Sequence, residues 1–257
     1  MALINSIKTF TWNSGVTNCS SLQFLFVVHV VYVCCLFAVQ KYAASRTTIP
    51  GWLPAMRKAH NCFLAVLSAL MLTGLIVGGI MDSRFESLYA FGCRRPINEN
   101  QPGFVVWTMY IFYLSKMLEF FDTFFLILAK KKVIMLHKVH HLTTMSLVWH
   151  SLEANINSEI LSGGLNCFVH TVMYAYFAYP KGNAWLRQYM TSTQILQFVL
   201  CLIAFVYAVY ARQLTDTPCY GTLASELHGI LMYGVYLAMF AAFFHSQYIL
   251  KKRSGAY

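Results

Sequence analysis

Ala59-His-Asn-Cys-Phe-Leu-Ala-Val-Leu-Ser-Ala-Leu-Met-Leu-Thr-Gly-Leu-Ile-Val-Gly-Gly-Ile-Met81 lies between Lys58 and Asp82 and holds no Asp, Glu, Lys or Arg. A stretch of that length without charge exceeds the roughly 20 residues an α-helix needs to cross a bilayer. Two more charge-free runs follow, between Arg187 and Arg212 and between Glu226 and Lys251. Leu22 to Val39 is apolar apart from Gln23 and His29. Three further segments are long enough but interrupted by ionisable groups. The sequence therefore predicts an all-α integral membrane protein, one domain over 1–257, with seven spans near 22–40, 59–81, 103–129, 133–151, 160–179, 188–211 and 227–250. Composition agrees, since 58% of residues are hydrophobic and only 11% charged, against about 25% charged in soluble domains.

Seven spans place alternate loops on opposite sides. One side collects Lys41, Arg46, Arg57, Lys58, Lys130, Lys131, Lys132, Lys181, Arg187, Lys251, Lys252 and Arg253, while the other holds Lys8, Arg84, Arg94, Arg95 and Arg212. The excess of basic residues marks the cytosolic face, which predicts a lumenal N-terminus and a cytosolic C-terminus. Much of the net charge of +10 is accounted for by this asymmetry, although the same clusters would also attract an anionic substrate. No Cys-x-x-Cys pair occurs, so no zinc or thioredoxin-like motif is indicated. Cys93 and Cys219 both fall in lumenal loops, where an oxidising compartment would permit a disulfide between them.

Polar side chains inside a bilayer are costly and normally face a bundle interior. Here they recur at helical spacing in four spans. Span three carries Lys116, Glu119 and Asp122, each one i, i+3 step from the last. Span four opens with Leu136-His137-Lys138-Val139-His140-His141, placing three imidazoles on one face. Span five carries Asn166, His170 and Met173, with Tyr174 at the stripe's edge, and span six carries Thr191, Gln194 and Gln197. At 1.5 Å per residue, most of these lie roughly 6 to 15 Å below the cytosolic face. Each alone has a structural reading. Lys116 and Glu119 can form a self-neutralising pair, a lone His170 can be a hydrogen-bonded core residue, and membrane glutamines often join helices. Their common depth points instead to one site. His29, His60, His150, His228 and His245 fall outside it and read as structural or interfacial.

These motifs closely resemble those of the very-long-chain fatty-acid elongase (ELO) family. Lys116-Met-Leu-Glu119-Phe-Phe-Asp122-Thr, the box His137-Lys-Val-His140-His141, Asn166-Cys-Phe-Val-His170-Thr-Val-Met173-Tyr174-Ala-Tyr176 and Thr191-Ser-Thr-Gln194-Ile-Leu-Gln197 match in order. Phe177 departs from the pattern, which usually has a second tyrosine there. The resemblance implies six of the seven helices arranged as an inverted-repeat barrel around an acyl tunnel. It implies a 3-ketoacyl-CoA synthase that joins an acyl-CoA to malonyl-CoA with loss of carbon dioxide, the first step of microsomal elongation. On that reading His140 accepts the acyl group and His170 partners it. His137, His141, Glu119, Asp122 and Lys116 complete the catalytic set, with Glu119 or Asp122 orienting a box imidazole. Asn166, Tyr174, Gln194 and Gln197 bind substrate, and Lys130, Lys131, Lys132 and Lys181 are candidates for the CoA phosphates. No metal and no cofactor beyond the CoA thioesters is implied. Expected partners are membrane lipid, the ketoacyl-CoA reductase, dehydratase and enoyl reductase of the cycle, and a second copy in a homo-oligomer. No nucleic acid is expected, and the location is the endoplasmic reticulum membrane. Two other classes compete: a di-iron desaturase or hydroxylase, which needs more clustered histidines than one box supplies, and a seven-span receptor or transporter, which has no use for three adjacent box imidazoles.

Overall fold

The computed structural model describes residues 6–93, 103–155, 158–180, 184–214 and 221–250, and among them every regular element is helical. Seven long helices succeed one another: α1 (Leu22–Ala44), α2 (Leu53–Met81), α3 (Gly103–Leu128), α4 (Met135–Glu153), α5 (Ser158–Ala178), α6 (Ala184–Leu214) and α7 (Leu223–Phe244), the last continued by a π-helical turn, His245–Leu250. Local sequence sets several starts. Ser21 accepts a hydrogen bond from the Phe24 amide and Thr222 from the Ser225 amide, satisfying otherwise orphaned N-terminal donors. Pro54 occupies the first turn of α2, where its missing N–H costs nothing, so α2 begins well ahead of the charge-free run.

Four of the helices, over Leu22–Ala44, Leu53–Met81, Leu186–Gln213 and Leu223–Leu250, are long and apolar enough to cross a membrane. Helices α3, α4 and α5 have 26, 19 and 21 residues, or roughly 39, 28 and 32 Å. Their polar groups rather than their lengths set them apart: Lys116, Glu119 and Asp122 on α3, the histidines on α4, and Asn166 and His170 on α5.

The packing closes on itself. Helix α2 lies against α3 and α5, α3 against α4, α4 against α7, α7 against α6, and α6 back against α5. The ring order is thus 2-3-4-7-6-5, and α1 packs outside it on α3. Glycines set some of the spacing. A Cβ on Gly78 would lie 2.6 Å from a Val105 methyl, and one on Gly229 2.1 Å from the Phe205 ring, so α2–α3 and α6–α7 approach more closely than any larger residue permits. Gly164 has open space at that position and is no packing device. One apolar core fills the seam among α1, α3 and neighbouring helices around Tyr113, Phe120 and Met145. A second lies between α6 and α7 around Phe198, Phe205 and Tyr236.

Candidate active site

A cavity of about 330 Å³ lies inside one end of the ring. Its wall takes Arg57 and Asn61 from the start of α2, His137 and His140 from the start of α4, and Gln194 from the first third of α6. Asp122 and Phe125 come from the end of α3, Met173 and Phe177 from the end of α5, and Phe240 and Phe243 from the end of α7. Starts and ends alternate around the ring, so neighbouring helices run antiparallel. All six ring helices contribute to the wall. Lys131, exposed in the α3–α4 connection, stands at the rim.

Beneath the cavity floor lies a charged chain. Lys116 Nζ is 2.7 Å from Glu119 Oε1 and 3.0 Å from Asn166 Oδ1, and both charged side chains are almost wholly buried. The ammonium also lies 4.0 Å from the centre of the Phe112 ring. An ammonium can only donate, so Asn166 must turn its carbonyl to Lys116 and its amide nitrogen to His170 Nε2, 3.2 Å away. His170 Nε2 is therefore an acceptor, and its proton sits on Nδ1, 3.5 Å from Glu119 Oε1. Three buried residues thus select one tautomer of a fourth.

The box histidines differ from one another. His137 Nε2 is 3.0 Å from Thr123 Oγ1, which is itself 3.0 Å from the Tyr32 hydroxyl on α1. Its ring centroid lies 4.2 Å from that of His141. His140 is half-buried with Tyr236 at 5.1 Å, His141 at 5.6 Å, and Phe240 and Phe198 beyond 6 Å. Its Nδ1 is buried and has no hydrogen-bond partner among the described residues. The backbone carbonyl of His140 accepts from the Thr144 hydroxyl. On its other side His140 meets a void of about 10 Å³ shared with Asn166 and Gln197, so Gln197 is deeper than Gln194.

The expectation that a carboxylate orients a box imidazole needs correction. Asp122 Oδ1 is 3.0 Å from His60 Nε2, and its Oδ2 accepts from the Tyr174 hydroxyl at 2.6 Å, while Glu119 faces His170. Within the box, His137 is held by the Thr123 hydroxyl. His60, read from sequence as peripheral, is part of the site. Lys130 is turned elsewhere: its ammonium donates to the carbonyls of Ala43, at 3.2 Å, and Arg46, closing the end of α1. Lys132 is exposed and outside the cavity wall, whereas Lys131 is in it. Gln194 reaches Met173 Sδ at 3.5 Å. Lys181 and Cys219 lie outside the described residues. Cys93 is fully buried and disulfide-bonded.

Sequence reasoning missed Arg57, His60, Asn61, Thr123, Tyr32 and Tyr236. Arg57 immediately precedes the apolar run of α2 and His60 and Asn61 open it, and the polarity of the last two within that run was the available signal. Three of the remaining histidines, His29, His150 and His228, act as ties. His29 reaches the Leu142 carbonyl at 2.8 Å and Ser146 at 3.1 Å, fastening α1 to α4, and His150 meets His228 with Nδ1 atoms 3.3 Å apart. Among the described residues no group of three or more His, Cys, Asp and Glu is disposed to hold a metal ion.

Fold and site define a polytopic helical membrane protein whose ring of six helices encloses a histidine-lined cavity. Residues 17–256 match the ELO family, described as GNS1/SUR4, and the chain belongs to that family. It is 33% identical to "Fatty acid elongase A" of Dictyostelium discoideum, with 98% of this chain and 92% of that one aligned. It is 29% identical to "Fatty acid elongase sre1" of the same organism, over 93% and 88%. It is 28% identical to "Very long chain fatty acid elongase 5" of Mus musculus, over 72% and 62%.

Proposed function

We propose that this protein elongates fatty acids by condensing an acyl-CoA with malonyl-CoA, releasing carbon dioxide and CoA and yielding a 3-ketoacyl-CoA two carbons longer. The observation that carries this reading is His140: a buried ring nitrogen with no hydrogen-bond partner among the described residues, cradled by aromatic rings, in a polar cluster around Lys116, Glu119, Asn166 and His170. A desolvated neutral imidazole is a competent acyl acceptor. The acyl carbonyl carbon forms a bond to the His140 imidazole and loses its bond to sulfur. The thiolate leaves as CoA, taking up the proton the imidazole sheds. Malonyl-CoA then loses carbon dioxide, the resulting enolate attacks the acyl-imidazole carbonyl, the carbon–nitrogen bond breaks, and the departing imidazole nitrogen takes up a proton from water at the cavity mouth, so neutral imidazole is regenerated. His170 and the Lys116–Asn166 pair supply fixed dipoles and charge near the developing oxyanions.

CoA is too polar for hydrocarbon, so its nucleotide stays at the rim, beside Arg57 and Lys131, and the acyl chain points inward. The ring order 2-3-4-7-6-5 supports two inverted three-helix units forming a barrel around an acyl tunnel, with α1 outside as the seventh span. The basic loops support a cytosolic rim and a lumenal N-terminus in the endoplasmic reticulum membrane. The product needs a keto reductase, a dehydratase and an enoyl reductase to complete each cycle. The thioesters are the only small molecules this chemistry requires. The test is labelled malonyl-CoA supplied to purified protein across a ladder of acyl-CoA lengths. Label in 3-ketoacyl-CoA is expected from wild type and not from His140→Ala. Condensation by the variant at the wild-type rate overturns the acceptor role.

A further inference from the structure

His60 is absent from the cavity wall yet directly behind it. Its ring stands edge-on to Phe125, 5.1 Å between centroids, and its Nε2 is 3.0 Å from Asp122 Oδ1. A carboxylate in contact with two donors accepts from both, so Nε2 carries the proton. The other oxygen of Asp122 holds the Tyr174 hydroxyl at 2.6 Å. Tyr174 is one helical turn beyond His170 on α5, and the two rings meet perpendicularly at 5.3 Å. A single carboxylate thus ties α2, α3 and α5 together, and Asp122, Tyr174 and His170 all line the cavity. The His60 and Asp122 side chains are only 13% and 16% exposed, so little water competes for the contact.

We infer that His60 is a positioning residue for the reaction proposed above: acting through Asp122, it fixes the Tyr174 ring that walls His170. The inference rests on that reading for its kinetic consequences but not for its geometric one. Without the His60 donor, one oxygen of Asp122 is unpaired at the cavity edge and the carboxylate is free to rotate. Tyr174 then loses its anchor. Small displacements of groups that frame a reacting centre act mainly on turnover.

Purified full-length His60→Ala is expected to lose roughly tenfold in kcat, with the KM values for acyl-CoA and malonyl-CoA within about twofold of wild type. His60→Gln, which can still donate to Asp122, is expected to recover most of that loss. In a Tyr174→Phe background His60→Ala should lower kcat by less than about twofold, because residues acting through one chain are not additive. Unchanged kcat in His60→Ala, no recovery in His60→Gln, or full additivity overturns the role. A second readout needs no turnover: carbethoxylation of His170 by diethyl pyrocarbonate, located by mass spectrometry. His60→Ala should react several-fold faster at His170 than wild type, and His60→Gln close to wild type. An equal rate in all three overturns the inference even in a preparation that condenses nothing, whereas absent condensation with the expected labelling pattern faults the assigned reaction alone.

Discussion

The ammonium of Lys116 lies 3.0 Å from the side-chain carbonyl of Asn166, and through that contact a lysine on α3 determines which nitrogen of an α5 histidine carries the proton. Asn166→Asp removes the amide donor that faces His170 Nε2 and substitutes an acceptor. His170 is then driven to protonate Nε2 against the new carboxylate. The expected result is a loss of about 10²-fold or more in kcat, comparable to removal of a single preorganised donor, with a folded, monodisperse protein. Steady-state condensation kinetics check it. A kcat within threefold of wild type rejects the tautomer assignment.

The same ion pair separates stability from activity. Removing Lys116 alone strands Glu119 as a buried charge, a change that costs about 3–5 kcal/mol, so Lys116→Met is expected to unfold or express poorly. Replacing both, Lys116→Met with Glu119→Leu, removes two desolvated charges together, and that exchange is often neutral or stabilising. The double variant is expected to match or exceed wild type in thermal unfolding in detergent while condensing nothing. A single variant as stable as wild type contradicts the geometry at this pair.

Lys130 and Lys131 adjoin in sequence and diverge in structure. Lys130 has a left-handed φ of 54° and spends its ammonium on the carbonyls of Ala43, in the last turn of α1, and of Arg46, just beyond it. Lys131 stands at the cavity rim with Arg57. Lys131→Ala and Arg57→Ala are expected to raise the KM for CoA substrates several-fold, with the effect fading as salt rises, since rim charges are screened. Lys130→Ala is expected to leave both KM values unchanged and lower the unfolding temperature slightly. Titration of both thioesters at low and high salt distinguishes the two lysines.

How far sequence reached depends on the kind of signal. The charge-free run after Lys58 announced a membrane helix because hydrocarbon admits few alternatives. The interrupted runs on α3, α4 and α5 announced a shared cavity because His137, His140, Glu119 and His170 are too costly to scatter. The box histidines, His170 and Gln194 line one cavity at one end of the ring, and Lys116 and Asn166 are joined to His170 beneath it. What stayed hidden were relations between helices distant in sequence. That Asp122 would pair with His60, 62 positions away, and not with a box imidazole depends on α2 and α3 being neighbours, as periodicity cannot say. Lys130 misled for a related reason: three consecutive lysines look alike until the turn gives one of them a left-handed backbone and a helix end to cap. Tyr32 came from a helix outside the ring, and its polar neighbour three residues earlier, His29, which packs on the same Phe120 ring, reads from sequence as peripheral too.

The seam between α6 and α7 offers a test of packing that bears on chemistry. Gly229 faces Phe205, which is fully buried, and a Cβ there would come within 2.1 Å of the ring. That ring lies 5.4 Å from Tyr233, which in turn packs beside Tyr236, 5.1 Å from His140. Gly229→Ala must push α7 outward or turn Phe205, and overpacking of this kind costs about 1–3 kcal/mol. Because Tyr236 lies on the same helix, the shift propagates to the cradle around His140. The variant is therefore expected to lose activity at temperatures where it remains folded. In a Phe205→Ala background, itself destabilised by about 3–5 kcal/mol, the added methyl enters vacated space, and Gly229→Ala should cost nothing further or restore some stability. Equal penalties in both backgrounds, measured by thermal unfolding in detergent, would place the clash elsewhere in the seam.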